Sequence, residues 1–477
     1  MPVKKREKFK IAILLFLTAF FFSLVLIYII PTGDFAPDES SHLKMVEFLA
    51  KEKRLPVFDK VEDLGPLIFQ PQLWNEKFRT GAYYSMAYNS PLSYFGYVLI
   101  YNLAPNFGNR GGIILLRILS ALYFAGFSLF LFLALLKINP RKVIQSASLA
   151  FFAAFIPQVI FSGSYINIEP FALLLSAISF YLLVWLKSNA SASKLLLFGL
   201  SLGMLSLTKT NYLALVVTFL ALALFFIWPH YQKNRRRFFD LLLVISPILL
   251  SNIFWWLRNL KLYDDPLIIN FIQERIKITR PEWFLPPGEA GYNTLSIIIQ
   301  PDFSRNTFLG FYAALGRLDI FFPSIFYIIF YLIVFGLIST SIFHSAKDFV
   351  KGKRGEFLFQ FTIILFIAIN FLIFANKNLL DFSPQGRHLF PMLLPIFYLL
   401  YNGLKILPQR FSKALSTFLV SFSSFSVIFG AWLMLDRYHN GYLEPTINRL
   451  IPAVLALIFL SLFLRQLIII AKGENES

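Results

Sequence analysis

The chain has 477 residues, 57% of them hydrophobic and 15% charged, and a mean hydropathy of +0.65. A soluble fold has too little interior to hide that much apolar side chain, and the apolar runs are continuous rather than alternating, so a soluble domain and a closed barrel are both excluded. The net charge is +18 and there is no cysteine, which rules out disulfides, thiolate metal sites and cysteine nucleophiles. The basic residues fall mostly in short loops between apolar runs, the positive-inside pattern of a membrane protein, and no soluble basic patch is left to bind nucleic acid.

Lys4, Lys5, Arg6, Lys8 and Lys10 lead into the first apolar run, residues 10–30. It is longer than a signal-peptide core and no small-residue cleavage site follows, so it reads as an uncleaved anchor with a cytoplasmic N-terminus. Residues 31–110 form a long first outer loop, beginning with Pro37-Asp38-Glu39-Ser40-Ser41-His42. If Pro37 opens a helix, Asp38 and His42 share a face and Glu39 neighbours His42; an acidic first turn complementing the helix dipole is the plainer alternative. Leu43, Val46, Leu49 and Ala50 have the spacing of an amphipathic helix lying on the membrane surface. Residues 90–103 are about fourteen, short of the roughly twenty a span needs, and read as a surface or re-entrant helix.

Further spans are predicted at residues 111–136, 143–161, 171–186, 195–208, 212–228 and 239–257, then, after a second large outer loop at 258–318, at 320–343, 357–375, 389–407, 415–435 and 450–470. The expectation is a single all-α polytopic membrane domain over residues 1–477 with about twelve transmembrane helices, both termini cytoplasmic, and Lys or Arg in every inner loop. No internal repeat of the kind many transporters carry is visible.

With this topology the outer mouths collect the unusual residues. They are Asp38, Glu39 and His42; Tyr165, Asn167 and Glu169; Lys209, Asn211 and Tyr212; Trp256, Arg258, Asn259, Asp264 and Asp265; Arg317 and Asp319; and Gln385, Gly386, Arg387 and His388. Each has a plainer reading. Glu169 before Pro170 suits a helix cap, Lys209 can snorkel to headgroups, Asp264-Asp265-Pro266 is a good turn, and Arg387 with His388 can anchor the segment containing Pro391 and Pro395. As a set they describe a polar cavity lined by both signs of charge. A carboxylate there can act as general base toward a hydroxyl, and Arg or Lys can hold a phosphate. A lipid-borne sugar phosphate has that form: its phosphate sits at the headgroup level, and fixed cations stabilise the charge it gains as the sugar leaves. Trp74, Tyr83, Tyr84, Tyr88 and Trp283 are candidates for stacking on sugar rings.

Several short pieces, in order along most of the chain, resemble the GT-C-fold glycosyltransferases, integral-membrane enzymes that use lipid-phosphate sugars. They are Asp38-Glu39, Asn89-Ser90-Pro91-Leu92-Ser93-Tyr94, Arg117-Ile118-Leu119-Ser120-Ala121-Leu122, Leu207-Thr208-Lys209 and Trp256-Leu257-Arg258-Asn259. Pro37-Asp38-Glu39 with His42, Phe308-Leu309-Gly310-Phe311 and Gln385-Gly386-Arg387-His388-Leu389-Phe390-Pro391 more narrowly resemble a family of bacterial membrane proteins grouped as a domain of unknown function. The resemblance implies a GT-C-like fold, Asp38 as catalytic base or metal ligand and Glu39 second to it. Glu169 would be a second acid where many relatives have Asp, and His388 stands where the motif usually continues with Tyr. His42, Asn167, Lys209, Tyr212, Arg258, Gln385 and Arg387 would complete the substrate site. Some such enzymes need a divalent cation, Mg or Mn, for which Asp38, Glu39, His42 and Glu169 are candidate ligands.

The expected function is transfer of a sugar from a polyprenyl-phosphate donor to a glycan, lipid or protein acceptor, on the extracytoplasmic face of a bacterial or archaeal plasma membrane. The alternatives are a lipid-linked glycan flippase and a non-catalytic cell-envelope assembly protein. A flippase should carry charge along its whole path, whereas here the charges gather at one mouth.

Overall fold

The computed structural model describes residues 4–33, 35–58, 70–75, 78–82, 86–103, 109–188, 190–230, 236–352, 354–440 and 447–473. Apolar runs in lipid must satisfy their backbone groups internally, and the chain does so as helices. In order these are α1 (Lys5–Ile29), α2 (Glu39–Glu52), α3 (Phe95–Leu103), α4 (Asn109–Ile138), α5 (Val143–Ala154), α6 (Pro157–Ser162), α7 (Glu169–Ser188), α8 (Ala192–Ser206), α9 (Leu213–His230), α10 (Arg236–Tyr263), α11 (Ile269–Thr279), α12 (Thr294–Ile298), α13 (Pro301–Tyr312), α14 (Ser324–Val350), α15 (Arg354–Lys377), α16 (Leu393–Ile406), α17 (Gln409–His439) and α18 (Ile447–Gly473). The protein is an all-α polytopic membrane protein apart from two small antiparallel ladders, β1 (Gln70–Asn75) with β2 (Phe78–Ala82) and β3 (Ala314–Leu315) with β4 (Ile320–Phe321).

Among the described residues nine helices are long and apolar enough to cross a membrane, and three shorter apolar helices occupy the remaining runs. One expected span is broken. The run 143–161 divides into α5 and α6 at Ile156, which is extended, and Pro157, which opens α6 because its missing N–H is no loss at a first helical position. The span expected at 389–407 begins earlier, as a 3₁₀ turn over Gly386–Met392 that runs into α16. Residues 90–103 form a 3₁₀ turn capped by the Ser90 hydroxyl, then α3, which lies against α2 and α4.

α4 packs on α7 and α1, α1 on α18, α5 on α4 and α17, and α14 on α16. Gly199 and Gly203, one turn apart on α8, let α10 approach until a Cβ at Gly199 would lie 2.4 Å from the Val244 carbonyl oxygen. This is the close backbone approach that small residues permit between membrane helices.

Polar contacts sort the helix ends into two groups. At one end Lys8 Nζ donates to the Pro140 carbonyl (2.9 Å), Glu7 meets Gln466, and Lys413 donates to the Ala471 carbonyl (3.3 Å). The start of α1, the α4–α5 loop, the start of α17 and the end of α18 are therefore neighbours, and this end carries the basic loops. At the other end His439 bonds the Ile29 carbonyl (2.8 Å), the Tyr438 hydroxyl donates to the Phe35 carbonyl (3.2 Å) and Arg437 pairs with Asp319 (3.3 Å).

Candidate functional site at the end of α1

Asp38 precedes α2 in the left-handed conformation, φ 61° and ψ 8°. That conformation costs an L-residue roughly 1–2 kcal/mol, and Asp is among the few that adopt it routinely. The helix therefore starts at Glu39 rather than at Pro37, although the Asp38 carbonyl still accepts the His42 N–H (3.0 Å). The Asp38 side chain does not cap the helix. It turns to Arg387, whose Nη2 donates to Asp38 Oδ2 at 2.5 Å. Arg387 is 7% exposed, whereas Asp38 keeps 40% of its side chain accessible. Arg387 Nε donates to Gln385 Oε1 (2.7 Å) and Nη1 to the Tyr165 hydroxyl (3.1 Å). Arg387 can be held there because Gly386 lets its turn lie directly on α13: a Cβ at Gly386 would sit 1.9 Å from the Phe311 nitrogen and 2.2 Å from the Gly310 carbonyl carbon. The Phe308–Phe311 and Gln385–Pro391 pieces are thus one contact.

Glu39 and Arg117 form a second, fully enclosed pair. Arg117 Nε donates to Glu39 Oε1 (2.8 Å) and Nη2 to Oε2 (2.6 Å), with Arg117 at 0% and Glu39 at 3% exposure. The remaining Arg117 N–H groups donate to the carbonyls of Ile27, Ile30 and Pro31, which the end of α1 leaves without intrahelical partners. Glu39 Oε1 also accepts the Ile166 N–H (3.0 Å). Glu39 is thus engaged wholly by protein donors. Where a second reactive carboxylate was expected, the chain has a rivet joining α1, α2, α4 and the loop before α7. Arg117, quoted above without a role, is half of it.

Glu169, at the start of α7, binds Lys209 through Oε1 and accepts the Tyr212 hydroxyl through Oε2 (3.0 Å). Asn167 is committed to its own turn: its amide donates to the carbonyls of Ser162 (2.7 Å) and Tyr165 (3.0 Å), and its oxygen accepts the Glu169 N–H (2.8 Å). It shapes the loop. The Asn211 amide lies 3.4 Å from His388 Nδ1, and the His388 ring stacks on Phe374. These groups share one electrostatic neighbourhood, because Asp38 feels Lys209 as well as Arg387, and Arg387 feels Glu169.

Burial pushes the Asp38 carboxyl up, but the Arg387 guanidinium, with Lys209 behind it, outweighs this and holds the net value below the ordinary carboxylate range. His42 is driven by burial down to about 3 and is neutral. Its Nδ1 lies 2.8 Å from the Tyr94 hydroxyl, which in turn takes the Asn89 amide at 3.5 Å. We assign the Tyr94 proton to that bond, which leaves the His42 proton on Nε2.

Arg258 is not brought to this group. It donates to the Pro56 carbonyl (2.5 Å) and to Asn259 Oδ1 (3.2 Å) beneath the rings of Trp255 and Tyr263, tying the outer loop to α10. Asp265 is the turn residue its sequence predicts, accepting the N–H groups of Leu267, Asn270 and Phe271. Tyr83 and Tyr84, and the side chain of Trp74, lie outside the described residues. The candidate metal ligands are dispersed: Asp38 is held by Arg387, Glu39 by Arg117, Glu169 by Lys209 and His42 by Tyr94. Among the described residues no three His, Cys, Asp or Glu side chains converge as a metal site requires. That donor set does not fit a divalent cation.

A polytopic helical membrane protein with a cluster of charged pairs at one end of its bundle is the class that fold and site define. Residues 83–259 match the family model for dolichyl-phosphate-mannose-protein mannosyltransferase. The match supports the GT-C superfamily; it includes Arg117, Glu169 and Lys209 and leaves out Asp38 and Arg387. Among solved structures, the apo crystal structure of the Archaeoglobus fulgidus oligosaccharyltransferase is similar, with a TM-score of 0.45 and 13% identity over 93% of this chain and 57% of that one. The same organism's oligosaccharyltransferase AglB in complex with an inhibitory peptide and a dolichol-phosphate gives 0.43 and 12% over 91% and 56%. The chain thus spans a little over half the length of these structures. A search of the curated proteins finds no match.

Proposed function

We propose that the protein is a GT-C-type glycosyltransferase that moves a sugar from a polyprenyl-phosphate donor to an acceptor hydroxyl on a glycan, lipid or protein. The observation that carries this reading is the pair of Asp38 and Arg387, a partly accessible carboxylate on an enclosed guanidinium. The family match over residues 83–259 supports a lipid-phosphate donor. The prenyl tail lies in lipid and the phosphate enters the charged mouth, where Arg387 offers a planar fork to two phosphate oxygens. The acceptor oxygen then attacks the anomeric carbon and gives its proton to Asp38. The bond from that carbon to the phosphate oxygen breaks with its electrons, leaving a prenyl phosphate of one further negative charge. Arg387 and Lys209 stabilise that charge.

Arg387 holds Asp38 ionised before the donor arrives, which is the form a base needs. A phosphate on Arg387 competes for the same N–H groups, so Asp38 loses part of the pull that depresses its pKa and becomes the stronger base as the donor seats. Fixed side-chain charges do this work without a metal ion, so a chelator leaves turnover unchanged. The basic segments at the opposite end support a site on the extracytoplasmic face of a bacterial or archaeal plasma membrane with both termini cytoplasmic.

The test is transfer from a purified polyprenyl-phosphate sugar in nanodiscs. Wild type should transfer and Asp38→Asn should not. Movement of the lipid-linked sugar between leaflets without transfer would overturn the enzyme reading.

A further inference from the structure

Two of the cavity's cations are already in contact with carboxylates, Arg387 with Asp38 and Lys209 with Glu169. Lys377 is different. It stands exposed in the last turn of α15, and its ammonium makes no hydrogen bond or ion pair among the described residues. Its electrostatic neighbours are Asp381, four residues on, and Lys209. The end of α15 packs on the turn that carries Arg387, with the Phe374 ring stacked on His388 at 6.2 Å between centroids, and His388 feels Lys209, Lys377 and Arg387 alike. On the far side of the same group Tyr88 feels both Asp38 and Asp381.

The segment joining Lys377 to Arg387 is braced rather than loose. Asn378 Oδ1 accepts the Ser383 N–H (2.8 Å), the Leu379 carbonyl accepts the Gly288 N–H (2.9 Å), and Gln385 bonds both Ser383 (3.0 Å) and Arg387. Lys377 is thus held in a defined relation to the guanidinium. Asp381 is half-buried, and burial raises its carboxyl against the pull of Lys377. An ammonium at the membrane boundary whose own atoms make no direct contact is open to an anionic ligand.

We propose that Lys377 is a second phosphate ligand of the sugar donor, adding an ammonium to the non-bridging oxygens that the Arg387 fork holds, with Asp381 as its counter-charge until the donor binds. This rests on the phosphate reading of the preceding section. A phosphodiester has two non-bridging oxygens, and cations from two directions fix the phosphorus and the anomeric carbon beyond it. As the sugar leaves, the new charge on the phosphate falls between the ammonium and the guanidinium.

The experiment measures binding of farnesyl phosphate and of farnesol to the full-length protein in detergent. Lys377→Gln should weaken farnesyl phosphate roughly tenfold, as loss of one charge-assisted hydrogen bond does, and leave farnesol unchanged. Lys377→Arg should stay within about threefold of wild type because the charge is kept. Asp381→Asn should tighten farnesyl phosphate by removing the competing carboxylate. If Lys377→Gln binds farnesyl phosphate as wild type does while Arg387→Lys weakens it, the phosphate sits on Arg387 without Lys377 and the inference fails alone. Equal weakening of both probes by Lys377→Gln also overturns it, because the loss is then structural. If wild type prefers farnesyl phosphate no more than farnesol, the phosphate site itself is wrong and the inference falls with it.

Discussion

At the residue scale, three side chains carry separable roles. Asp38→Asn keeps size and hydrogen bonding but cannot take a proton, so turnover should fall by roughly 100-fold or more while donor affinity holds or tightens, since Arg387 is released. Full transfer by Asp38→Asn together with none by Glu169→Gln would move the base to Glu169. Arg387→Lys keeps charge but loses the fork, and should weaken donor binding and turnover together. Glu39 and Arg117 should instead read out in stability. Glu39→Gln strands a fully buried guanidinium, which should cost about 3–5 kcal/mol in unfolding measured in detergent. A Glu39→Leu/Arg117→Met double variant should be milder, because no charge is left behind. His42 gives a pH signature. It is neutral in the fold, with a pKa near 3, and titrates near 6.5 when unfolded, so its contribution is full above 6.5 and is lost progressively as pH falls from 6.5 toward 3. Wild type should lose stability through that window, and His42→Asn should flatten that slope. Asp38, depressed in the fold, adds its own loss only below the ordinary carboxylate range.

At the scale of elements, the contact between α13 and the turn that carries Arg387 depends on two glycines meeting backbone to backbone. A Cβ at Gly386 would collide with backbone atoms that cannot swing aside, whereas a Cβ at Gly310 meets only the Gly386 nitrogen at 2.9 Å. Gly386→Ala should therefore lower the melting temperature and abolish transfer by shifting Arg387, and Gly310→Ala should do the same more weakly. Gly336, in the open middle of α14, has nothing within 4 Å of its Cβ position, so Gly336→Ala should be neutral or stabilising. Equal melting temperatures for Gly386→Ala and Gly336→Ala would mean that α13 and the turn are not in contact as described.

At the scale of the whole molecule, the absence of cysteine makes topology directly measurable. Single cysteines at the exposed positions Asp319 and Arg437 should react with an impermeant thiol reagent in intact cells, and cysteines at Lys8 and Arg141 should react only after permeabilisation. Labelling of both groups in intact cells would refute the assignment of the site to the outer face.

Hydropathy by itself located the apolar runs, because the free energy of putting about twenty apolar residues into lipid is local and additive along the chain. The loop charges separated two ends for the same reason, and contacts such as Lys8 with Pro140 and His439 with Ile29 join the ends in that grouping. Of the site, Asp38 and Arg387 were legible as unusual residues at helix mouths. That they approach each other was expected from the cost of unpaired charge near lipid, and their contact across 349 positions bears this out; which atoms pair was decided by the fold. Glu39 and Asp38 are adjacent and chemically alike in sequence. Only the tertiary structure separates them, giving one to the buried Arg117 and leaving the other at the cavity. Arg258 and Asn167 looked like site residues because they are polar at a membrane boundary, and packing gave both to the protein's own backbone. Pro157 lies inside the run 143–161 that hydropathy reads as one span, and only the structure divides the span there. Ionisable groups at a membrane boundary must find partners, and the fold chooses among partners far apart in the chain.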